Sequence, residues 1–403
     1  MKQTIIYKLN PTIEQEKHLH NLTSIATKLY NTDNYIRRAT WKKCGKIPSW
    51  YSQKKKVLKD NHWYKLLPSQ TAQEVTHNLQ GAYNSWFKLR KKDEKARPPR
   101  FRKKEMLSPI SFYQQFKIID DKLKLSMSLK YRKEHNIKSL ELNFNEWKKT
   151  SGIPKFCQII FDKGKWFAHI VYEVEETNIK LNRNIMAIDV GVINTAATVD
   201  NSGNSKIYSG KQILSIQHYF NSRIARVQSK LTKQYPKRKW SKTLQRLTDK
   251  KNRQIKQSLH TISKGIITQA KKSNIKTIVA GDITDIRKDK NFGKRNNQKL
   301  HSWSFSKLIQ QIEYKSILSG IRFVRVSEMN TSKTCSICGI IRKNSRVKRG
   351  LYRCKICSNL INADINGAKN ILKKYLQFFS IEDGSIGNVA MPLVSRIENV
   401  IPR

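Results

Sequence analysis

Four cysteines in the last quarter of the chain restrict its fold more than any other feature. They follow the pattern Cys335-x2-Cys338-x15-Cys354-x2-Cys357, in which two tight turns joined by a short hairpin bring four thiolates to the corners of a tetrahedron. The pattern predicts a zinc ribbon with a structural Zn²⁺ in a reducing compartment. Four free thiols are the alternative.

The charge of the chain indicates the kind of partner it binds. Its 403 residues include 80 Lys and Arg against 29 Asp and Glu, a formal net charge of +51. Such an excess predicts a polyanionic partner. We find no apolar run of about 18 residues, no lipidation motif and no signal peptide, so no membrane partner is expected. Nucleic acid is therefore the expected partner.

Hydrophobic periodicity predicts a β-rich region interrupted by helices in the first 176 residues. Residues 2–9 alternate like a strand, and the capping box at 12–15 opens a long helix. A second helix is predicted from about Ser69 to Arg90. The segment RPPRFRKK (97–104) ends the helical pattern, and short strands follow, including a hairpin around Asp162-Lys163-Gly164.

The rest of the chain has the alternation of an α/β sheet covered on both faces. Three apolar runs have the length of buried strands: 185–188, 276–284 and 320–328. Helical patterns lie between or after them: 211–275, 304–318 and 362–379.

Three carboxylates stand at the ends of these elements. Asp189 and Glu328 follow apolar strands, and Asp364 lies at a helix start. Carboxylates that converge on two Mg²⁺ ions about 3.5–4 Å apart are the ligands of two-metal phosphodiester cleavage. Taken singly, Asp189 can also be a turn former before Gly191, and Asp364 a helix N-cap.

Several motifs together resemble the TnpB family, the RNA-guided nucleases of insertion sequences, and through it the miniature type V CRISPR effectors. The resemblance covers nearly the whole chain and includes AIDVGVINTAATV (187–199). Its most specific parts are TSKTCSICG (331–339) and CKICSNLINADINGAKNIL (354–372).

The resemblance implies a multidomain α/β fold. It has a RuvC-like (RNase H-type) nuclease domain with a zinc-ribbon insertion that binds target nucleic acid, and a β-barrel-like wedge domain interrupted by a helical recognition domain. The expected boundaries are 1–10 and 96–180 for the wedge, 11–95 for the helical domain, 181–332 and 358–379 for the nuclease, and 333–357 for the ribbon. Residues 380–403 are expected to form a C-terminal tail that is disordered.

The resemblance also implies the partners and the chemistry. A guide RNA of transposon-end or CRISPR type and a double-stranded target DNA with a flanking motif are expected, bound by a monomer in the cytoplasm of a prokaryote near the nucleoid. Asp189 matches the first catalytic aspartate and Asp364 the last, both as ligands of two Mg²⁺. The basic helices at 222–272 are expected to line the cleavage channel.

The second catalytic acid of the family is missing from its usual place. Where the family has a glutamate at the end of a strand, this chain has Gly281, and Asp282 follows one step later on the opposite face of a strand. In a RuvC-like sheet the neighbouring strand ends at Glu328, and Gly281 leaves room for its side chain. We therefore predict Glu328 as the third Mg²⁺ ligand, with Asp282 or no replacement as alternatives. Glu328 as a surface acid before a turn, or as a partner of Lys333, also stays open.

Two other functions remain open at this point. One is a nuclease-inactive relative that keeps RNA-guided DNA binding and acts as a repressor, for which loss of the middle acid is the expected signature. The other is an unguided zinc-ribbon protein that binds nucleic acid.

Overall fold

The computed structural model describes residues 1–53, 59–103, 105–147, 150, 152–175, 183–236, 238–282, 293, 305–342, 345–348, 350–378 and 393–395. The chain divides into two compact units, Met1–Glu175 and Glu176–Arg403. Within the described ranges, no helix is both long and apolar enough to cross a bilayer.

The first unit contains five helices and seven strands among its described residues. The helices are α1 (Ile13–Cys44), α2 (Trp50–Gln53), α3 (His62–Leu66), α4 (Ser69–Arg90) and α5 (Leu129–His135). The strands are β1 (Lys2–Lys8), β2 (Ile110–Phe112), β3 (Phe116–Ile119), β4 (Lys122–Ser126), β5 (Ser139–Asn143), β6 (Ile153–Asp162) and β7 (Lys165–Glu173). They form one sheet of order β1-β7-β6-β2 and a second of order β3-β4-β5.

Local sequence signals explain the main elements of this unit. The predicted capping box is present, because Thr12 and Gln15 exchange side-chain to backbone hydrogen bonds at the start of α1. The predicted hairpin joins β6 to β7 through Lys163 and Gly164, both with positive φ, as a two-residue turn of this kind requires. One continuous hydrophobic core joins the helices to both sheets.

The second unit is built around a six-stranded sheet. Its strands are β8 (Ile185–Asp189), β9 (Asn194–Asp200), β10 (Ser205–Ser209), β11 (Thr277–Asp282), β12 (Arg322–Ser327) and β16 (Leu393–Ser395). Its helices are α6 (Lys211–Gln234), α7 (Lys242–Lys272), α8 (Phe305–Ile317) and α9 (Ala363–Phe378). A small three-stranded sheet is formed by β13 (Arg346–Lys348), β14 (Leu351–Arg353) and β15 (Leu360–Asn362).

The order of the large sheet is β12-β11-β8-β9-β10-β16. Strand β11 lies parallel to both of its neighbours: Ala280 pairs with Ile188 of β8, and Gly281 pairs with Val326 of β12. The strand that ends beside Gly281 therefore lies between the strand of Asp189 and the strand that leads to Glu328, as the sequence analysis predicted.

One strand of this sheet was not predicted. Residues Leu393–Ser395, within the segment expected to be a tail, pair in parallel with Lys206–Tyr208 of β10. A three-residue strand that follows Pro392 gives almost no periodic signal, because alternation cannot be recognised over so few residues. The rest of that segment lies outside the described residues.

Candidate functional site

The two faces of the large sheet are distinguished by the helices that cover them. Side chains alternate along each strand, so every second residue faces the same side. Val279 of β11 and Val326 of β12 pack with Ile371 and Leu372 of α9. The opposite face packs against α7 and α8. We call these the α9 face and the α7 face.

Strand alternation places Asp189, Gly281 and Glu328 on the α9 face. Ile185 and Ala187 lie in the core under α9, and Asp189 follows with the same parity. Gly281 has the parity of Val279. Because Glu328 follows the end of β12 with the parity of Val326, its side chain is directed to the same face.

The side chain of Glu328 lies over Gly281. A Cβ atom added to Gly281 would lie 2.6 Å from Glu328 Cδ and would overlap its Oε1 and Cγ as well. Any residue other than glycine at position 281 would thus compete with the Glu328 carboxylate for one space. Glu328 therefore occupies the position to which a side chain on residue 281 would extend.

Asp282 is directed away from this place. It is still within β11, paired with Ser327 of β12, so the alternation rule holds for it. Its parity is that of Ile278 and Ala280, which pack on the α7 face, and it is exposed. The arrangement favours Glu328 over Asp282 as the acid that faces α9.

Asp364 lies in the first turn of α9, but it does not cap the helix. The cap is Asn362, whose Oδ1 accepts hydrogen bonds from the backbone N–H groups of Asp364 and Ile365 at 3.0 and 3.2 Å. The Asp364 carboxylate accepts a 2.6 Å bond from Asn194 Nδ2, at the start of β9. The Asp364 side chain is thus held beside the sheet.

A glycine of α9 makes room for Asp189. A Cβ atom on Gly367 would lie 3.1 Å from Asp189 Cγ and would overlap its Oδ2. The helix that carries Asp364 therefore passes the Asp189 carboxylate at backbone distance. At both Gly281 and Gly367, the carboxylate of another residue occupies the space that a side chain on the glycine would fill.

The Glu328 carboxylate is costly to ionise in this environment. Burial, followed by repulsion from Asp282, raises its pKa from 4.5 to about 7. Its Oε1 is buried and accepts no hydrogen bond from any described residue. Among the described residues, Glu328 forms no ion pair with Lys333. The hydroxyl and the backbone N–H of Thr331 donate hydrogen bonds to the Glu328 backbone carbonyl and not to its carboxylate. A proton or a bound cation would remove the cost of this buried charge.

Glu328→Gln is expected to stabilise the protein in Mg²⁺-free buffer. Because the pKa of folded Glu328 lies above its value of 4.5 in the unfolded chain, stability is lost as the pH rises from about 4.5 to about 7. Glutamine lacks this loss, so the variant should gain up to about 3 kcal/mol at pH 8 and almost nothing at pH 4. Urea unfolding at pH 4 and pH 8 measures the free energy of unfolding of both proteins. An equal gain in stability at the two pH values would contradict the raised pKa of Glu328.

The four predicted zinc ligands converge. Their Sγ atoms all lie within 4.8 Å of one another. The Sγ atoms of Cys335 and Cys357 are 3.7 Å apart, and those of Cys338 and Cys354 are 3.6 Å apart. Four sulfurs bound tetrahedrally at about 2.3 Å from Zn²⁺ would be separated by about 3.8 Å. The set thus fits a tetrahedral Zn²⁺ site.

Hydrogen bonding within the ribbon also suits a metal-bound thiolate. Hydrogen bonds from Asn359 lower the pKa of the Cys357 thiol to about 6, whereas burial raises that of Cys335 to about 12. After each Cys-x-x-Cys pair the chain turns through a residue with positive φ, Gly339 and Ser358.

Two buried asparagines that the sequence analysis missed connect the ribbon to α9. Asn366 Oδ1 accepts from the backbone N–H of Ser336 at 2.9 Å, and its Nδ2 donates to the Thr334 carbonyl at 2.8 Å. Asn370 Nδ2 donates to the carbonyls of Thr331 and Thr334 at 2.8 and 2.7 Å. Asn362, Asn366 and Asn370 recur every four residues, the spacing of one helix face, and this was the available signal.

The carboxylates are less tightly grouped than the cysteines. Within the described part of the chain, only the four cysteines bring three or more ligand atoms close enough together for one ion. The carboxylate of Asp189 instead lies against Gly367 of the helix that carries Asp364, and that of Glu328 lies over Gly281 on the strand next to that of Asp189.

Comparison with known proteins agrees with the fold and with the ribbon. Residues 169–287 match the family model of a probable transposase, OrfB of IS605 elements. Residues 305–371 match the model of the Cas12f1-like TNB domain. A cryo-EM structure of a Cas12f1–sgRNA–target DNA complex superposes with a TM-score of 0.65 at 15% identity, covering 92% of this chain and 98% of that one. The chain therefore has the fold of the Cas12f1 structure, with a zinc-ribbon-like cysteine cluster.

Relatives identify the family. A TnpB-like protein of Methanocaldococcus jannaschii is 32% identical over 241 residues, which cover 57% of this chain and 81% of the relative. The TnpB-like protein ORF457 of Acidianus two-tailed virus is 28% identical, covering 93% and 86%. The putative RNA-guided DNA endonuclease InsQ of Escherichia coli is 23% identical, covering 92% and 91%. The chain belongs to the TnpB-like family.

Proposed function

We propose that this protein is an RNA-guided endonuclease that cuts double-stranded DNA at a single RuvC-like site. The observation that carries the proposal is the Glu328 carboxylate over Gly281, on the sheet face that also holds Asp189 and faces Asp364. A chain that had only lost the middle acid would need no buried carboxylate with an unpaired oxygen there. The arrangement supports a rebuilt active site.

We propose Asp189, Glu328 and Asp364 as the ligands of two Mg²⁺ ions. When bound, the ions activate water and stabilise the leaving oxygen of the phosphodiester. The chain's own part is to hold three carboxylates on one face: Gly281 and Gly367 leave space for Glu328 and Asp189, and Asn194 orients Asp364. The orphan Oε1 of Glu328 and a set of oxygen donors fit a hard cation such as Mg²⁺.

The partners follow from the relatives and from the charge. The Escherichia coli relative is named as a putative RNA-guided DNA endonuclease, and the matched structure is a complex with guide RNA and target DNA. We propose that this chain likewise binds a guide RNA and a target with a flanking motif as a cytoplasmic monomer, with base pairing supplying the sequence specificity. The predicted wedge and helical domains would hold the RNA, and the ribbon, with its structural Zn²⁺, would guide the strand.

Asp189→Ala and Asp364→Ala are each expected to abolish cleavage. Loss of a group that only supports a metal ligand costs up to about 100-fold, so loss of a ligand itself should cost more. The assay uses the RNA that co-purifies with the protein and a library of DNA targets with randomised flanks. Full cleavage by either variant would refute the nuclease site, whereas guided binding without cleavage by the unmodified protein would identify a repressor.

A further inference from the structure

A groove on the second unit lies on the α7 face of the sheet, opposite the carboxylates. It has a volume of about 670 Å³ and runs between the start of β10 and the last three turns of α7. Lys206 has the parity of Tyr208, which packs on the α7 face, whereas Ile207 packs under α9. The groove and the proposed active site are therefore on different faces of one sheet.

Among the residues that the structure describes, no acid lines the groove, and every polar side chain there carries a hydrogen-bond donor. Lys206, Lys264 and Lys272 supply the charge, and Thr261, Thr268 and Gln269 supply neutral polar groups. Thr261, Lys264, Thr268 and Lys272 are exposed and follow the spacing of one helix face. From Lys264 to Lys272 the helix rises by about 12 Å, which is a length for several consecutive phosphates rather than for one small anion.

Two of these side chains are held in place by the sheet. The Lys206 ammonium lies 5.3 Å from the centroid of the Tyr208 ring. Gln269 Oε1 accepts hydrogen bonds from the hydroxyls of Thr198 and Tyr208 at 3.2 and 2.9 Å, so its Nε2 remains as the group that donates elsewhere. Gly265 allows this approach, because a Cβ there would lie 3.0 Å from Tyr208 Cε1.

We propose that this groove binds the phosphate backbone of RNA. This inference rests on the proposed function, in which one nucleic acid must be held without being cut. A strand in the groove is separated by the sheet from Asp189 and Glu328, so it is not presented to them. The threonine hydroxyls and the Gln269 amide also suit the 2′-hydroxyl, the group that distinguishes RNA from DNA. This part of α7 would then not line the cleavage channel, contrary to the expectation for residues 222–272.

The test compares RNA binding by the full chain, freed of nucleic acid, with that of Lys264→Gln/Lys272→Gln. The probe is a labelled RNA hairpin of about 20 base pairs, measured by fluorescence anisotropy over a salt series. Loss of two phosphate contacts should weaken binding about tenfold. It should also reduce the magnitude of the negative slope of log K against log salt by about 1.5. Lys211→Gln/Lys307→Gln, two exposed lysines of the same unit outside residues 222–272, is the charge-matched control and should change both much less.

A gain of charge tests the same surface independently of any loss of stability. Thr268→Lys places a third cation between Lys264 and Lys272. It should increase the magnitude of the negative slope of log K against log salt by about 0.7–0.9. Equal effects in the groove and control variants, or no effect, would overturn the proposal, as would an effect confined to a DNA hairpin of the same sequence. No cleavage is measured, so the groove and the nuclease site can fail separately.

Discussion

A glutamate introduced at position 281 should restore the DNA cleavage that Glu328→Ala abolishes. In the unmodified protein the Glu328 carboxylate occupies the space over Gly281, so each single change should inactivate. Glu328→Ala removes the ligand, and Gly281→Glu forces two carboxylates into one place. In the double variant Gly281→Glu/Glu328→Ala, the carboxylate reaches the same space from the central strand. We expect single variants below about 1% of normal activity and recovery of at least tenfold in the double variant.

Two further variants make this exchange specific. Gly281→Ala adds only a methyl group, yet it should also inactivate, because that methyl overlaps the Glu328 carboxylate. Asp282→Ala is the control, since Asp282 is exposed on the opposite face, and it should keep activity within a few-fold. Loss of cleavage in Asp282→Ala together with full activity in Glu328→Ala would show that the neighbouring aspartate is the ligand.

Cys354→Ser is expected to unfold the ribbon. Structural Zn²⁺ in small fingers contributes about 10–16 kcal/mol of apparent binding free energy, far more than a ribbon of three short strands gains from its own core. The variant should lose its bound zinc, measured by metal analysis, and the amides of 333–362 should lose their protection from hydrogen exchange. Target cleavage should fall with them.

Cys44→Ser is the matched control for this change. Cys44 is exposed at the end of α1 and far in sequence from the ribbon, so its zinc content and exchange pattern should be normal. Retention of stoichiometric zinc and protected amides by Cys354→Ser would contradict the four-cysteine site. Protection of the amides without zinc would show instead that the Asn366 and Asn370 contacts alone maintain the ribbon.

Features encoded by neighbouring residues were predictable from the sequence. The Thr12 capping box and the Lys163-Gly164 turn each depend on a few consecutive residues, and both are present. The convergence of the four cysteines was predictable because their spacing is typical of a zinc ribbon. The sheet order came from the resemblance, since periodicity alone does not say which strands are neighbours.

Contacts between distant residues were not predictable in this way. Asn194 meets Asp364 across 170 positions, and Gly367 is useful only because Asp189 lies beside it. Neither contact leaves a pattern in the neighbouring sequence, because each depends on how a helix packs on a strand that is distant in the chain. The absence of a glutamate at position 281 was recognisable, but only because the family resemblance predicts a glutamate there. The roles of Asp189, Glu328 and Asp364 stay predictions until the variants are measured.

Only six residues separate Glu328 from Cys335, the first cysteine of the ribbon. Within this segment, Asn370 donates hydrogen bonds to the carbonyls of Thr331 and Thr334, and the Thr331 N–H donates to the Glu328 carbonyl. The acid that we propose as a ligand thus belongs to the same short segment as the first cysteine of the ribbon, whereas a glutamate at position 281 would belong to a separate strand of the sheet.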